Sequence, residues 1–172
     1  MIFTNDNGGE WLSRNAPFFG RKAQLYEGGI RVPAIIRWPG RVPAGTVSSQ
    51  VGITMDLAAS ILAATGAPVP PDAKLEGIDL FPTITARGKP VPRTLFWRVN
   101  NVGINQRAVR DGNWKLLIEG SARMSLFDVS KDLGERNDVA ASNTAVVRRL
   151  VQQLQAWEKD VDAEANAKGR VP

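Results

Sequence analysis

Two patterns of apolar and polar positions divide this chain. In the first part, short apolar runs alternate with turns dense in Gly, Asn and Pro. Ile2 and Phe3 open a run that stops at Asn5-Asp6-Asn7-Gly8-Gly9, which predicts a strand ending in a turn. Residues 10–21 read as a loop carrying Trp11, Pro17, Phe18, Phe19 and Gly20, with Phe18 and Phe19 expected to pin it to the core. Tyr26-Glu27-Gly28-Gly29 predicts a second turn, whose glycines allow close backbone approach or positive φ. Ile30 to Trp38 reads as a buried strand with Val32, Ala34, Ile35 and Ile36 as its core. Leu57, Ile61 and Leu62 recur at helical spacing between Thr54, a suitable N-cap, and Gly66, a suitable stop. Residues 76–82 are assigned to packing.

Beyond a Pro-rich boundary at residues 87–92 the pattern becomes that of an antiparallel sheet. Strands are expected at residues 94–99, 106–110, 114–118 and 125–129, with Asp111-Gly112-Asn113 as a hairpin turn. Residues 131–138 form a charged stretch that lacks the ligand spacing of an EF-hand and is read as a solvated loop. Val147, Leu150, Val151, Leu154, Trp157 and Val161 then line one face of a long helix, capped by Asn143 or Thr144 and expected to pack on the sheet. Residues 168–172 read as a frayed tail. The pattern therefore predicts short strands and a helix over residues 1–90, then an antiparallel sheet packed by a C-terminal helix over residues 91–172; that the first part is α/β, a piece of a mixed sheet with helices, is what the family resemblance given below implies.

Composition narrows the function. A chain of 172 residues with 43% hydrophobic and 23% charged residues has the make-up of a globular protein. The net charge of +5 suits anionic ligands, but the basic residues are scattered and form no nucleic-acid groove. No apolar run reaches membrane-spanning length and no signal peptide is read, so neither nucleic acid nor membrane is an expected partner. There is no Cys and no His, which excludes thiolate metal sites, disulfides and imidazole chemistry in this chain.

The chemistry centres on the first turn. Asp6 and Asn7 offer a carboxylate beside a carboxamide, hard oxygens that suit Ca²⁺ or Mg²⁺. The same residues are also ordinary turn formers. The next motif in the chain is more specific: Lys22-x-x-x-Tyr26-Glu27-Gly28-Gly29-Ile30-Arg31-x-Pro33, then Trp38-Pro39-Gly40. A strand, Asp-Asn-Gly, a loop, this Lys-to-Pro motif, a strand and Trp-Pro-Gly, in that order, resemble the C-terminal half of the type I sulfatases, the formylglycine-dependent sulfate-ester hydrolases. Residues 109–140 also resemble the sulfatase C-terminal subdomain, with Leu133 in place of a proline and Asp138 in place of an Asn. The resemblance implies that Asp6 and Asn7 are two calcium ligands and that Lys22 contacts the substrate sulfate. Asn5 stands where the family usually has a small residue.

The family's nucleophile is a formylglycine made from Cys or Ser within Cys/Ser-x-Pro-x-Arg, and its histidines lie in the N-terminal half. Neither is in this sequence. The chain is thus expected to be inactive alone, to bind Ca²⁺ weakly, and to meet a sulfate ester only when completed by the other half. Association through an exposed sheet is a further expectation, because most strands of the family's large sheet would lie upstream. The alternative is a non-catalytic remnant acting as an ion-binding or interaction module.

Overall fold

A computed structural model describes residues 1–70, 72–85, 89–167 and 169. The expected boundary at 87–92 and the expected frayed tail at 168–172 lie partly outside the described residues. The chain groups into two compact units, one of Met1–Asp6 and Pro33–Val91, the other of Asn7–Val32 and the residues from Pro92 on. No helix among the described residues is long and apolar enough to cross a membrane.

In the first unit, strand β1 (Ile2–Thr4) pairs antiparallel with β2 (Ala34–Ile36), Phe3 lying opposite Ile35. The strand expected from Ile30 to Trp38 is shorter than the apolar run suggested. Ile30 ends a helical turn instead, and Pro33, which has no N–H to donate, bounds the paired segment. The expected burial of this strand is also not observed: Ile35 is 55% exposed, since a two-stranded ladder provides no layer to cover it. Helix α2 (Met55–Thr65) ends, as expected, on Gly66 in the left-handed region at φ 66°. Its start differs from expectation, and of the expected apolar face Leu57 and Leu62 are only half-buried. Thr54 makes no side-chain cap; the Asp56 carboxylate accepts from Ile53 N at 2.8 Å and from Ile78 N at 2.9 Å. Ser60 Oγ accepts from Leu80 N at 2.9 Å. Asp56 and Ser60 are the buried residues of α2 while Ile61 is exposed, because two orphan amides of the 78–80 segment, which leads into the short helix α3 (Phe81–Thr85), recruit the polar side. Trp38 packs edge-on against Phe81, their centroids 5.0 Å apart.

The second unit is built on a four-stranded antiparallel meander, β3 (Thr94–Asn101), β4 (Ile104–Asp111), β5 (Trp114–Glu119) and β6 (Arg123–Asp128). Asp111 pairs with Trp114, so Gly112 and Asn113 form a two-residue hairpin, with Gly112 at φ 58°. Alternation assigns the two faces. Val109, Leu116, Ile118 and Leu126 point one way and pack on Leu150 and Leu154 of α4 (Thr144–Ala167). Ala108, Leu117 and Phe127 point the other way and pack on Leu25 and Tyr26. Phe96 and Trp157 stack with centroids 5.3 Å apart and planes within 7°, and Asn143 O accepts the first helical bond from Val147 N at 3.1 Å. With both faces covered, β5 is buried at four consecutive residues, Lys115 to Ile118. The helix face follows the expected stripe. Leu150 is fully buried, so Leu150→Ala is expected to cost about 2–5 kcal/mol, read as a lower denaturation midpoint at an unchanged denaturant dependence. A loss below about 1 kcal/mol would mean that α4 does not seal this face.

Candidate functional site

The site grows from a place where backbone packs on backbone. In the second unit the Asn7-Gly8-Gly9 turn lies against α1 (Glu27–Ile30), a single helical turn. Gly8 N donates to Gly29 O at 2.8 Å, and Gly28 N donates to Phe19 O at 2.7 Å. A Cβ on Gly8 would fall 1.8 Å from Gly28 O; one on Gly28 would fall 2.4 Å from Gly20 O; one on Gly29 would fall 2.0 Å from Gln24 O. Close approach, rather than positive φ, is thus what Gly28 and Gly29 provide. The Asn15 carboxamide ties the base of the intervening loop, accepting from Gly9 N at 3.1 Å and donating to Gly9 O at 3.2 Å and Gly20 O at 3.1 Å. Phe19 meets Tyr26 edge-on at 4.8 Å, and Phe18 lies under the Arg31 guanidinium at 5.0 Å.

Lys22 is brought to this turn by its backbone, whose N–H donates to Gly9 O at 3.0 Å. Its side chain is 52% exposed, with Nζ 3.7 Å from Glu10 Oε2. Asn7 is half-buried and the preceding Asp6 is exposed. Arg31, the other basic residue of the motif, pairs with Glu27 Oε2 at 3.3 Å. Among the described residues no group of three or more His, Cys, Asp or Glu side chains could hold a metal. Asp6 and Asn7 offer hard oxygen donors of the kind Ca²⁺ takes.

Sequence reasoning missed what holds α1 to the sheet. Lys115, fully buried on the sheet face that also carries Leu117, places Nζ 3.0 Å from Glu27 Oε1 and 2.8 Å from Glu135 Oε1. Glu27 N also donates to Glu135 Oε2 at 2.6 Å, and Arg110 approaches Glu27 at 3.9 Å. The charged stretch read as solvated is therefore anchored inward at Glu135, which takes φ 50° to get there. Its carboxylates also serve as local caps: Asp132 accepts from Arg136 N and Asn137 N, and Asp138 accepts from Leu126 N and Ala140 N. Burial alone would raise the Glu27 carboxyl, but Lys115, Arg110 and Arg31 outweigh it and hold the group below its ordinary value. For Glu135 burial wins over Lys115, and the group is raised. The signal was present in the sequence: Lys115 shares its strand face with Leu117, on the strand that is apolar on both faces.

Two further anchors complete the clasp. Gln106 Oε1 accepts from Leu25 N at 2.8 Å while its Nε2 donates to Glu119 Oε1 at 2.9 Å, and Tyr26 OH donates to Glu119 Oε2 at 3.1 Å. Burial, reinforced by the Glu119 charge, pushes the Tyr26 phenol up to about 12, so it remains a donor throughout the neutral range.

A four-stranded meander backed by a C-terminal helix, clasped to a glycine-packed loop that presents a lysine, is the C-terminal architecture of a sulfatase. Residues 16–160 match the family described as N-sulphoglucosamine sulphohydrolase, C-terminal, and the chain belongs to it. Among curated relatives, N-acetylgalactosamine-6-sulfatase of Canis lupus familiaris is 41% identical over 103 residues, covering 56% of this chain and 20% of the relative. Arylsulfatase A of Homo sapiens is 31% identical over 199 aligned residues, covering 95% of this chain and 38% of the relative. The chain thus spans well under half the length of either. Among solved structures, Ps i-CgsB superposes with a TM-score of 0.84 at 30% identity, covering 91% of this chain and 35% of that one. The same protein has been crystallised with k-i-k-neocarrahexaose.

Proposed function

We propose that this chain supplies one side of the active site of a sulfuric ester hydrolase acting on sulfated saccharides. The observation that carries the reading is the Asn7-Gly8-Gly9 turn, locked against α1 and bonded through Gly9 O to the backbone of Lys22. That arrangement keeps a carboxamide oxygen donor and an ammonium group on neighbouring segments of rigid backbone. Asp6 and Asn7 would hold Ca²⁺, which when bound polarises the oxygens of a sulfate group. Lys22 would stand against the same sulfate and offset negative charge growing on the bridging oxygen as the ester breaks. Its contact with Glu10 is long and exposed, so an incoming sulfate competes for the ammonium at little cost. The names of the relatives support a saccharide ester as substrate: an N-acetylgalactosamine-6-sulfatase, and a structure in complex with k-i-k-neocarrahexaose.

The sequence has neither the thiol from which a formylglycine is made nor any imidazole. No Ser stands in the formylglycine motif either, so turnover requires residues beyond these 172. Cross-strand Phe3 and Ile35, both exposed, support association through the β1–β2 sheet. A non-catalytic ion-binding or interaction module is the second reading, favoured by the same lack of Cys and His. Calorimetric titration of the purified chain with Ca²⁺ tests the site. The expected result is weak binding, with Kd on the order of 10⁻⁴–10⁻³ M, abolished by Asp6→Ala or Asn7→Ala. Submicromolar affinity, or binding indifferent to both substitutions, would overturn the assignment. The purified chain is also expected to hydrolyse no aryl sulfate above background; turnover that survives repurification and is lost in Asp6→Ala would contradict this.

A further inference from the structure

Residues of the loop that leads from the Asn7 turn to Lys22, together with Arg136 from the segment after β6, line an open cleft of about 370 Å³. Its rim is unusual for a connecting loop. Trp11 is 67% exposed and Leu12 is 92% exposed. Leu12 also has φ 69°, a left-handed backbone state that is unfavourable for a non-Gly residue. The fold therefore holds Leu12 outward against both its hydrophobicity and its backbone preference. The Arg21 guanidinium lies 4.2 Å from the Trp11 ring centroid and fixes the indole in place. Neither Arg21 nor Arg136 forms an ion pair among the described residues. Glu10, the acidic residue of the lining, is the one that faces Lys22, so the cleft and the lysine share an edge.

A largely exposed indole with Arg21 stacked on one face, apolar rim residues and two guanidinium groups without ion-pair partners form a surface for a ligand with both C–H faces and negative charge. A sugar ring covers an indole well, and a planar guanidinium binds a sulfate through two parallel hydrogen bonds. We propose that this cleft is a second anion subsite, in which Arg136, with Arg21, receives a further sulfate group on the saccharide whose scissile ester meets Lys22. The preferred substrate class is then a multiply sulfated saccharide, not a singly sulfated one. The proposal rests on the assignment of Lys22 to the scissile sulfate, and the two can be separated by experiment.

The test is calorimetric titration of the full chain, at low ionic strength, with N-acetylglucosamine-6-O-sulfate, neutral at the 2-position, and with glucosamine-2-N,6-O-disulfate. The disulfate is expected to bind roughly tenfold more tightly, the worth of one charge-assisted contact. Arg136 is exposed, so Arg136→Ala should leave the melting temperature unchanged while collapsing that ratio towards one. Arg136→Lys, which keeps the charge and loses the planar fork, should give an intermediate ratio. Lys22→Ala should weaken both sugars by the same factor and preserve the ratio. A ratio unaltered in a folded Arg136→Ala variant overturns the subsite, as does failure of the disulfate to bind at millimolar concentration. A ratio that responds to Arg136 while Lys22→Ala changes nothing would instead retain the subsite and remove the lysine assignment.

Discussion

Lys115→Met is expected to destabilise the second unit by about 3–5 kcal/mol at neutral pH, the cost of removing one partner from a buried ionic cluster. The side chain it replaces is completely buried and lies within 3.0 Å of one carboxylate oxygen from each of Glu27 and Glu135. Methionine fills a similar volume, so the loss is electrostatic: two carboxylates remain out of water, with Arg110 at 3.9 Å and Arg31 at 3.3 Å from Glu27 as the remaining cations. The pH dependence distinguishes this from a packing defect. In the wild type, Glu27 has its folded value below the ordinary 4.5, so its contribution is present above that range and lost as pH falls through the folded value. Glu135 is raised, so its ionised form opposes folding at neutral pH, and that opposition is relieved as pH falls through its folded value. Without Lys115 both carboxylates lose their nearest cation, so both folded values should rise. The variant should then recover part of its deficit on acidification towards pH 5, where the wild type still draws on the ionised Glu27. Urea denaturation at pH 7 and pH 5 measures both. A deficit that is small, or equal at the two pH values, would show that the cluster is not what holds α1 to the sheet.

Gly8→Ala is expected to be comparably damaging for a different reason. The added methyl would stand 1.8 Å from Gly28 O and 2.7 Å from Gly28 C, and neither atom is free to retreat. Gly28 is fixed by its N–H to Phe19 O at 2.7 Å, and the next residue back, Glu27, is fixed by the ion cluster. Overpacking of side chains typically costs about 1–3 kcal/mol; a clash with backbone belongs at or above the top of that range. The turn must then lift from α1, which breaks the Gly8 N to Gly29 O bond and moves Asn7. Thermal denaturation should show a lower midpoint, and calcium titration should show loss of the weak binding proposed for Asp6 and Asn7. A variant with wild-type stability and an unmoved Asn7 would refute the account of this turn as a rigid support.

The antiparallel half of the molecule was legible because its signals are local. Asp111-Gly112-Asn113 specifies a tight hairpin from turn geometry alone, and the stripe from Val147 to Trp157 selects one face of a helix. Short-range periodicity also placed a helix between Thr54 and Gly66, yet it did not find the residues that the fold buries most deeply. Ile61 lies in solvent while Asp56 and Ser60 are buried, because what decides the face is a demand for acceptors from residues 78 and 80, invisible at helical spacing. The motif residues Lys22, Glu27, Gly28 and Gly29 could be read for identity but not for mechanism. That Gly28 and Gly29 are glycine because backbone oxygens of residues 19–24 stand in the way of any Cβ is a fact of packing. Glu135 shows the limit most clearly: in sequence it is one charge among many in a polar stretch, 20 residues from Lys115 and 108 from Glu27. Charge in a sequence carries no address. Only folding brings the three together at distances where, out of water, their attraction offsets the cost of burial.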